Sequence, residues 1–576
     1  MFAYKLYNMQ KKNLIYEGMV ALLVLAAVSF FFAGYAPFRL VFKEQMSMFL
    51  LTPDRLDWYF SHPAALTSIA GDWLTQFYWY RGAAVFISVL LLILLWGGTM
   101  LLLKRLGCRN AAIPSMLPVV AEMFVLSGLN YPVSATLSMT AAVWAGALLA
   151  GRSRLSDLLL LVAGVPLLYA AVGAQAVALA VSVMFFRWKD AAAWASLAAG
   201  LALMAGVTRM YDISFVQAMI FPVYAGFVIP SYLALACPLL AFFVAVLAGL
   251  LVDRLWLGIP LVLIAGAISF WKGMDHDIEL TLEMGTCAYK GDWDRVYSLA
   301  QKNRTGNIYA TFYYNLCNAR NGRLAEGLFR RNQVASNSLF LSVGQNSSFI
   351  SVFLYSDALL EMGDVSQATD CALLGQTIMP GGFSSRMIRR LAEIAMVTGD
   401  YAVAGKYLDM LAGTVVHAGW AREMKACIER SEFPAEIQKW RSRAARADQL
   451  YIQGNWMSAL PAIADQNPAN RAAIDYLLCG LLLDKKLGSF RSYYDRYYLN
   501  RLDRVVAVPE IFQQALLTEA SSQEAFDEIA EKYSISEKTA ADFADFFGLS
   551  NGKMNPDAHR DTYWYYVVAV QFNEEK

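Results

Sequence analysis

The side chains that could do chemistry are concentrated in one loop, residues 39–81, which follows the first apolar segment of the chain. Four carboxylates and one histidine lie in this loop among many aromatic residues: Glu44, Asp54, Asp57, His62 and Asp72. Carboxylates and histidine are common general bases and cation ligands, so one interpretation is that they line a site at a membrane surface. The other interpretation, which we favour, is an amphipathic connector anchored by its aromatic side chains.

A further carboxylate, Glu122, lies inside an apolar segment, LPVVAEMFVLSG. A charged side chain at that depth in a membrane costs a few kcal/mol, so it marks a functional site by default. Since the segment is short, Glu122 could equally be a hydrogen-bonded packing residue near the membrane surface. Both interpretations stay open at the level of the sequence.

The elements that must position these residues belong to two different parts of the chain. Of the 576 residues, 57% are hydrophobic and 16% charged, against ~45–50% and ~25% in ordinary soluble domains. Residues 1–271 contain 26 charged side chains, whereas the other 305 residues contain 69. The net charges, +6 and −5, give neither part the basic field of a nucleic-acid-binding protein. We therefore predict a membrane domain, 1–271, followed by a soluble domain, 272–576.

The membrane domain is predicted to contain about nine spanning helices and the large outer loop 39–81. Segments of suitable length and composition are 15–34, 83–103, 111–128, 132–150, 156–172, 174–186, 191–207, 231–252 and 255–271. Lysine and arginine occur in every second connecting loop, which places the N-terminus in the cytoplasm. With an odd number of spans, the soluble domain is predicted to lie on the opposite, periplasmic side.

The soluble domain contains a recurring tripeptide of glycine, a polar residue and an apolar residue. It begins at Gly291, Gly322, Gly363, Gly399, Gly454 and Gly488. The spacings are 31, 41, 36, 55 and 34 residues, close to the ~34-residue period of tetratricopeptide repeats. The pattern predicts helical hairpins, in which the glycine takes a left-handed cap and the polar residue begins the second helix. Stacked hairpins form a concave surface suited to a protein or glycan partner, unless the array only stabilises the membrane domain.

The usual catalytic motifs are not in the sequence. It has no P-loop, no G-x-S-x-G elbow, no H-E-x-x-H helix and no C-x-x-C pair. Four histidines in the whole chain do not favour a multi-histidine metal site. We therefore predict no metal site and identify no cofactor, and nothing in the sequence supports a divalent metal.

Three stretches resemble an uncharacterised family of bacterial multi-pass membrane proteins. They are EQMSMFLLTPDRLDWYFSHPAALTSIAGDWLTQFYWYRGA, YYNLCNARNGRLAEGLF and RMIRRLAEIAMVTGDYAVAGKYLDML. The resemblance covers most of the chain and implies an all-α layout, a transmembrane bundle followed by a tetratricopeptide-like domain, in a bacterial inner membrane. It implies no reaction. Members commonly have Pro-Gly-Gly where this chain has Pro63-Ala64-Ala65.

A more distant likeness is to polytopic glycosyltransferases that use lipid-linked sugar donors, which have an acidic residue shortly after the first span. This likeness, one of fold alone, implies Glu44 with Asp54 or Asp57 as catalytic bases. It implies Arg81 or Arg209 as the cations that hold a lipid phosphate. The remaining binding candidates are His62, Asp72 and Glu122. The alternative is a non-catalytic membrane scaffold or assembly factor, and the sequence does not decide whether the protein is an enzyme.

Overall fold

The computed structural model is helical throughout the part of the chain that it describes, and no β-strand occurs there. This confirms the predicted all-α fold. The described residues are 2–108, 110–223, 231–251, 266, 275–303, 307–344, 347–445, 455–502, 508–520, 522–549 and 553–569. They form two compact units. Unit 1 comprises Met1–Glu279, Ile378–Ser385 and Asp409–Ala421; unit 2 comprises Leu280–Thr377, Arg386–Leu408 and Arg422–Lys576.

The first half of the chain contributes thirteen described helices. They are α1 Phe2–Phe30, α2 Pro37–Gln45, α3 Pro53–Phe60, α4 Ala65–Thr75, α5 Arg81–Arg105, α6 Met116–Leu126, α7 Val133–Leu149, α8 Arg154–Leu159, α9 Val165–Val172, α10 Val177–Arg187, α11 Ala191–Val207, α12 Phe215–Ile220 and α13 Ser231–Leu251. Two apolar clusters form the core of unit 1, one centred on α5, α7, α9 and α10 and the other on α1, α5 and α6. Burial of these apolar faces stabilises the bundle.

Five described segments are long and apolar enough to cross a membrane, which is consistent with a membrane protein. They are Glu17–Tyr35, Arg81–Arg105, Arg154–Arg187, Ala191–Met210 and Tyr232–Leu251. The predicted spans 111–128 and 132–150 correspond to the shorter apolar helices α6 and α7. The predicted ninth span, 255–271, lies outside the described residues apart from residue 266. The total of nine therefore stays a prediction.

The 34-residue segment Arg154–Arg187 is a hairpin of two antiparallel helical arms. As one straight helix it would be about 50 Å long. Instead, Nε of Arg187 lies 2.6 Å from Oδ2 of Asp157, so the two ends of the segment meet. The turn falls at Gly173, whose φ of +73° is a backbone conformation that side chains disfavour. The predicted separate segments 156–172 and 174–186 match the two arms.

Polar contacts divide unit 1 into two ends. At one, the basic end, Lys104 Nζ lies 2.6 Å from Glu17 Oε1, and Arg105 donates a hydrogen bond to the carbonyl of Ala147. The Arg187–Asp157 ion pair lies at this end as well. At the other, the loop end, Arg81 donates to the carbonyl of Ala33, and Thr67 Oγ1 donates to the carbonyl of Ala171 over 3.3 Å. Basic side chains thus cluster where the helix-connecting segments predicted to be cytoplasmic come together.

The second half of the chain contributes seventeen described helices. They are α14 His276–Tyr289, α15 Trp293–Lys302, α16 Ile308–Arg320, α17 Leu324–Gly327, α18 Phe349–Met362, α19 Val365–Ile378, α20 Ser385–Thr398, α21 Tyr401–Ala412, α22 Ala418–Arg430, α23 Ala435–Arg443, α24 Trp456–Gln466, α25 Arg471–Leu483, α26 Leu487–Tyr494, α27 Glu510–Leu517, α28 Gln523–Lys532, α29 Glu537–Phe546 and α30 Tyr563–Ala569.

The helical hairpins of this half have the caps that the tripeptide pattern predicts, with one exception. The glycines at 291, 322, 363 and 399 have φ between +68° and +84°. Asp364 then begins α19 by accepting a hydrogen bond from the amide of Gln367 over 3.0 Å, and Asp400 does the same for Val403 over 3.1 Å. The prediction for Gly488 is wrong, because this residue lies inside α26 and Lys485 takes the left-handed position with φ +56°. Gly454 lies outside the described residues.

The turn before α4 yields a first prediction. Ala64 has φ +61°, which costs a non-glycine residue about 1 kcal/mol, whereas the next residue, Ala65, begins the helix. We expect Ala64→Gly to leave the midpoint of thermal unfolding unchanged or to raise it, because relief of strain offsets the lost buried methyl group. Ala65→Gly, the matched control, should destabilise the full-length protein by about 0.5–1 kcal/mol. Equal losses in the two variants would contradict this account.

A second prediction concerns pH. Burial raises the pKa of Asp364 from 3.8 to about 6, although hydrogen bonds from Gln367 oppose the shift. Between pH 4 and pH 6 the folded chain therefore binds more protons than the unfolded chain, so this group's contribution to stability falls as pH rises. Asp364→Asn should match the wild type near pH 4 and exceed its stability by about 1–3 kcal/mol at pH 7. Thermal unfolding across this range measures the difference.

The control for the pH experiment is Asp400→Asn, because Asp400 caps α21 in the same way but is exposed to solvent. Because no burial acts on the Asp400 carboxylate, this variant should not reproduce the gain of Asp364→Asn between pH 4 and pH 7. A parallel pH dependence for both variants would show that burial of Asp364 is not the cause.

Candidate functional site

The helix that follows the first span, α2, carries three charged residues that are all buried: Arg39, Lys43 and Glu44. Buried charges are costly unless each has a partner, so the surroundings of α2 are polar. At its first turn, the amide of Phe38 donates to Oε1 of Glu279 over 2.6 Å, and Nε of Arg39 lies 3.6 Å from the other carboxylate oxygen. A carboxylate at a helix N-terminus is electrostatically favourable.

Glu44 forms a buried pair with His417. Its Oε1 lies 2.7 Å from Nε2 of the histidine, and each side chain is 4% exposed. The ring of Trp79 meets the imidazole edge-on at 5.1 Å. The backbone on both sides is fixed too, since Ser385 Oγ donates to the carbonyl of Glu44 and the amide of His417 donates to Thr414 Oγ1. The second carboxylate oxygen of Glu44 is buried without a hydrogen-bond partner among the described residues. The pair can hold or pass one proton.

The other predicted base candidates do not join this pair. Asp54 and Asp57 lie on the exposed face of α3, and neither is bonded to Glu44. The two predicted phosphate-binding cations, Arg81 and Arg209, are exposed as well. Arg81 lies 5.7 Å from the ring of Phe38, next to α2. The structure therefore places Glu44 with a histidine and not with a second carboxylate.

Asp72 belongs to a second buried cluster, in which Arg55 is the central residue. Arg55 donates to the carbonyl of Gly381 over 2.8 Å and to Oδ2 of Asp72 over 3.3 Å, and its guanidinium lies 4.1 Å from the ring of Trp58. Tyr59 donates to the same Asp72 oxygen over 2.6 Å. Burial raises the pKa of Asp72, while Arg55 opposes the shift.

His62 lies beside this cluster and not among the groups that bond Glu44. Its Nδ1 is 2.6 Å from the carbonyl of Trp58, and its ring packs between those of Trp58 and Phe221 at 4.5 and 5.4 Å. Burial lowers the pKa of His62. The segment Ile378–Ser385 joins the two clusters, since Gly381 contacts Arg55 and Ser385 contacts Glu44, four residues or at most about 14 Å apart.

Glu122 is completely buried and accepts a hydrogen bond from the hydroxyl of Tyr131 over 2.8 Å. The carbonyl of Tyr131 in turn accepts from Lys43, which also donates to the carbonyl of Gly128. Burial and the neighbouring Arg39 lower the pKa of Lys43 to about 7. Glu122 is therefore linked through one tyrosine to the neighbour of Glu44, an arrangement that the sequence did not reveal.

Unit 2 contains a separate cavity lined by arginines and aromatic rings. Its lining includes the following side chains: Tyr289, Trp293, Arg320, Asp357, Arg386, Arg389, Arg390, Glu393, Glu436 and Trp440. The volume is about 30 Å³, enough for about two water molecules or one carboxylate group. The four arginines exceed the three carboxylates by one positive charge. We call this site the arginine–aromatic cavity.

Its guanidiniums are held in place by aromatic rings and by three carboxylates, those of Asp357, Glu393 and Glu436. Asp357 accepts from Arg386 over 2.7 Å and also from Arg390. Arg320 lies 4.0 Å from the ring of Trp293, and Arg389 lies 5.2 Å from that of Tyr289. Arg389 and Arg390 also pair with Glu393, and Arg320 pairs with Glu436, so the four guanidiniums share three carboxylates. Such fixed arginines are suited to a planar anion.

The sequence indicates some of these site residues more clearly than others. Three arginines within SRMIRRL lie within five residues of each other on one helix, a pattern that could have indicated the cavity. His417 has no local signal, because it lies 373 residues from Glu44. Among the described residues, no group of three histidine, cysteine, aspartate or glutamate side chains has the geometry to hold a metal ion.

Comparison with known proteins gives one match. Residues 11–569 match the model of a family whose description is "family of unknown function", DUF6057. No curated protein and no solved structure matches the chain.

The buried pair yields a third prediction. His417→Ala leaves the Glu44 carboxylate buried without its partner and should destabilise the protein by about 3–5 kcal/mol. Glu44→Gln keeps a hydrogen bond to the imidazole and should cost about 1 kcal/mol. The double variant should lose less stability than the two single losses together. Chemical or thermal unfolding of the full-length protein in detergent measures all three.

His559→Ala is the matched control, because His559 also bonds a carboxylate, Asp545 over 2.8 Å, but that carboxylate is 42% exposed to solvent. Its effect should be much smaller than that of His417→Ala. Additive losses at positions 44 and 417 would contradict the assignment of a coupled buried pair.

Proposed function

This chain belongs to the DUF6057 family of unknown function, and from its sites we propose that it is a membrane-anchored binding protein. In this proposal, tetratricopeptide-like hairpins of the second half bind an acidic group of a protein or glycan partner. The membrane helices anchor the protein in a bacterial inner membrane. The role is that of a scaffold or assembly factor.

The arginine–aromatic cavity carries this proposal. Its four arginines and three aromatic rings converge from five helices onto a space that accommodates one carboxylate. Arg390 has an Nε that is buried without a hydrogen bond among the described residues, so an incoming acceptor would satisfy it. Arginine, tyrosine and tryptophan are the side chains that contribute most to binding at protein interfaces. Sugar acids and acidic peptides both present the required carboxylate.

The proposal also assigns each end of unit 1 to one side of the membrane. Lys104, Arg105 and Arg187 at the basic end favour the cytoplasmic side by the positive-inside rule. The loop end, which contains α2, would then face the periplasm. The C-terminal part of the chain is proposed to be periplasmic, as the sequence predicts for an odd number of spans.

A second candidate function is transfer of a sugar from a lipid-linked donor at the loop end. The observation that favours it is the unbonded Oε2 of Glu44 beside the His417 imidazole, since a carboxylate and an imidazole can remove a proton from an acceptor hydroxyl. The burial of both side chains requires that the loop opens before a substrate can reach them. Trp293, Arg320 and Arg389 of the arginine–aromatic cavity are only half-buried, and we therefore place the binding function first.

Photocrosslinking tests the binding function. A photoreactive amino acid in place of Lys290, an exposed residue next to Tyr289, should capture a discrete partner in living cells. Arg389→Gln should weaken this product about fivefold or more, because it removes a charge that lines the cavity. Arg491→Gln is the matched control, since Arg491 also binds a glutamate, Glu519 over 2.9 Å, but lies elsewhere in unit 2. Equal losses in both variants would reject the cavity as the binding site.

The two functions differ in their response to Glu44→Gln. A scaffold should keep the crosslinked product and lose no activity of its own. An enzyme should keep the product but no longer incorporate sugar from a radiolabelled lipid-linked donor into acceptors in isolated membranes. Protease or glycosidase treatment of the product then identifies the partner as protein or glycan.

A further inference from the structure

An apolar groove lies on the surface of unit 1 between α10, α11 and α13, with a volume of about 880 Å³. Each helix contributes one face, because the lining residues follow helical spacing over 177–188, 194–201 and 243–251. Helices α11 and α13 belong to segments that are long and apolar enough to cross a membrane, and α10 is the second arm of the apolar hairpin Arg154–Arg187. The groove therefore faces hydrocarbon and not water.

The length of the groove corresponds to one leaflet of a bilayer. Along α10 it extends from Val177 to Trp188, which is eleven helical rises or about 16 Å. Half of the hydrocarbon core of a bilayer is about 15 Å thick. A single lipid acyl chain lying parallel to α10 would thus be accommodated along its whole length.

One end of the groove is positively charged. Arg105 lines it there, donates to the carbonyl of Ala147 and lies 5.6 Å from the ring of Phe186. The neighbouring Lys104 is neutralised by Glu17, whereas no carboxylate of the described residues pairs with Arg105. Trp188 is 62% exposed beside this end, and aromatic side chains of this kind lie at the level of lipid headgroups.

The charged end of the groove is remote from Glu44. Arg81 and Arg105 are the two ends of α5, about 36 Å apart. Arg81 lies next to Phe38 of α2, while Arg105 lines the groove. A lipid headgroup at Arg105 therefore lies at the opposite end of unit 1 from the Glu44–His417 pair. The groove is a separate site and does not depend on either proposed function.

We infer that this groove binds one acyl chain of an anionic phospholipid whose phosphate pairs with Arg105. The apolar faces recognise the chain, and the single cation distinguishes an anionic from a zwitterionic headgroup. By the positive-inside rule, the lipid belongs to the cytoplasmic leaflet.

Native mass spectrometry of the full-length protein in detergent tests this inference, with phosphatidylglycerol and phosphatidylcholine of identical acyl chains as probes. The wild type should bind phosphatidylglycerol about fivefold more tightly, the preference expected for one basic residue near an anionic headgroup. Arg105→Gln should abolish the preference. Arg152→Gln should retain it, because Arg152 is also exposed and also donates to a carbonyl, that of Leu148, but does not line the groove.

A variant that fills the groove provides an independent measurement. Leu201→Trp places a larger side chain in the groove and should weaken binding of both lipids at least threefold while the unfolding temperature stays unchanged. Equal binding of the two lipids by the wild type would overturn the inference. So would an unchanged lipid preference in Arg105→Gln, or unchanged binding of both lipids in Leu201→Trp, the result expected if the protein itself fills the groove.

Discussion

The organisation of unit 1 depends on one constraint, which is that the buried charged side chains of α2 must each find a polar partner within the protein. Arg39, Lys43 and Glu44 lie within six residues of each other, and all three are shielded from water. Their partners come from Glu279, from the carbonyls of Gly128 and Tyr131, and from His417. An uncompensated charge in such a place costs several kcal/mol, more than a typical apolar contact contributes. Distant segments of the chain are therefore required at fixed positions around one short helix.

Apolar packing and polar contacts have different roles in this arrangement. The apolar clusters on α1, α5, α7 and α10 stabilise a bundle but are non-directional, so many registers of the helices bury similar areas. The hydrogen bonds at the loop end are directional and select one register. Tyr131 illustrates this, because its hydroxyl bonds Glu122 and its carbonyl bonds Lys43. A shift of α6 by one turn would break the contact with Glu122, and a shift of α2 would break the contact with Lys43.

Local sequence patterns correctly predicted part of this structure. Long apolar segments predicted the helices of unit 1, and the hairpin at Gly173 falls where the predicted segments 156–172 and 174–186 meet. The tripeptides predicted left-handed caps at Gly291, Gly322, Gly363 and Gly399, since a short connection between two helices needs a residue that tolerates positive φ. The same reasoning failed at Gly488, because Lys485 adopts that conformation three residues earlier and glycine is then accommodated inside the helix.

The candidate sites were less predictable, because their residues are brought together by tertiary folding. Glu44 and Asp72 were identified from residue type and position in the loop, yet their partners His417 and Arg55 were not. Asp54 and Asp57 have the same residue type as Asp72 but lie on the exposed side of α3, where a carboxylate needs no partner. The arginines of α20 are close in sequence, but their role depends on rings from Tyr289, Trp293 and Trp440, which three other helices supply.

The separation of Glu44 from His417 by 373 residues has a consequence for biosynthesis. Translation proceeds at about 5–20 residues per second, so the ribosome adds the histidine about 20–75 s after the glutamate. During that interval the membrane helices and the loop are already made, but the carboxylate has no imidazole to bond. The nascent chain therefore passes through a stage in which α2 lacks some of its polar contacts. During that stage, water or a chaperone must solvate its charged side chains. The contact between Glu44 and His417 therefore forms only after residue 417 has been synthesised, and membrane insertion of the first helices cannot complete it.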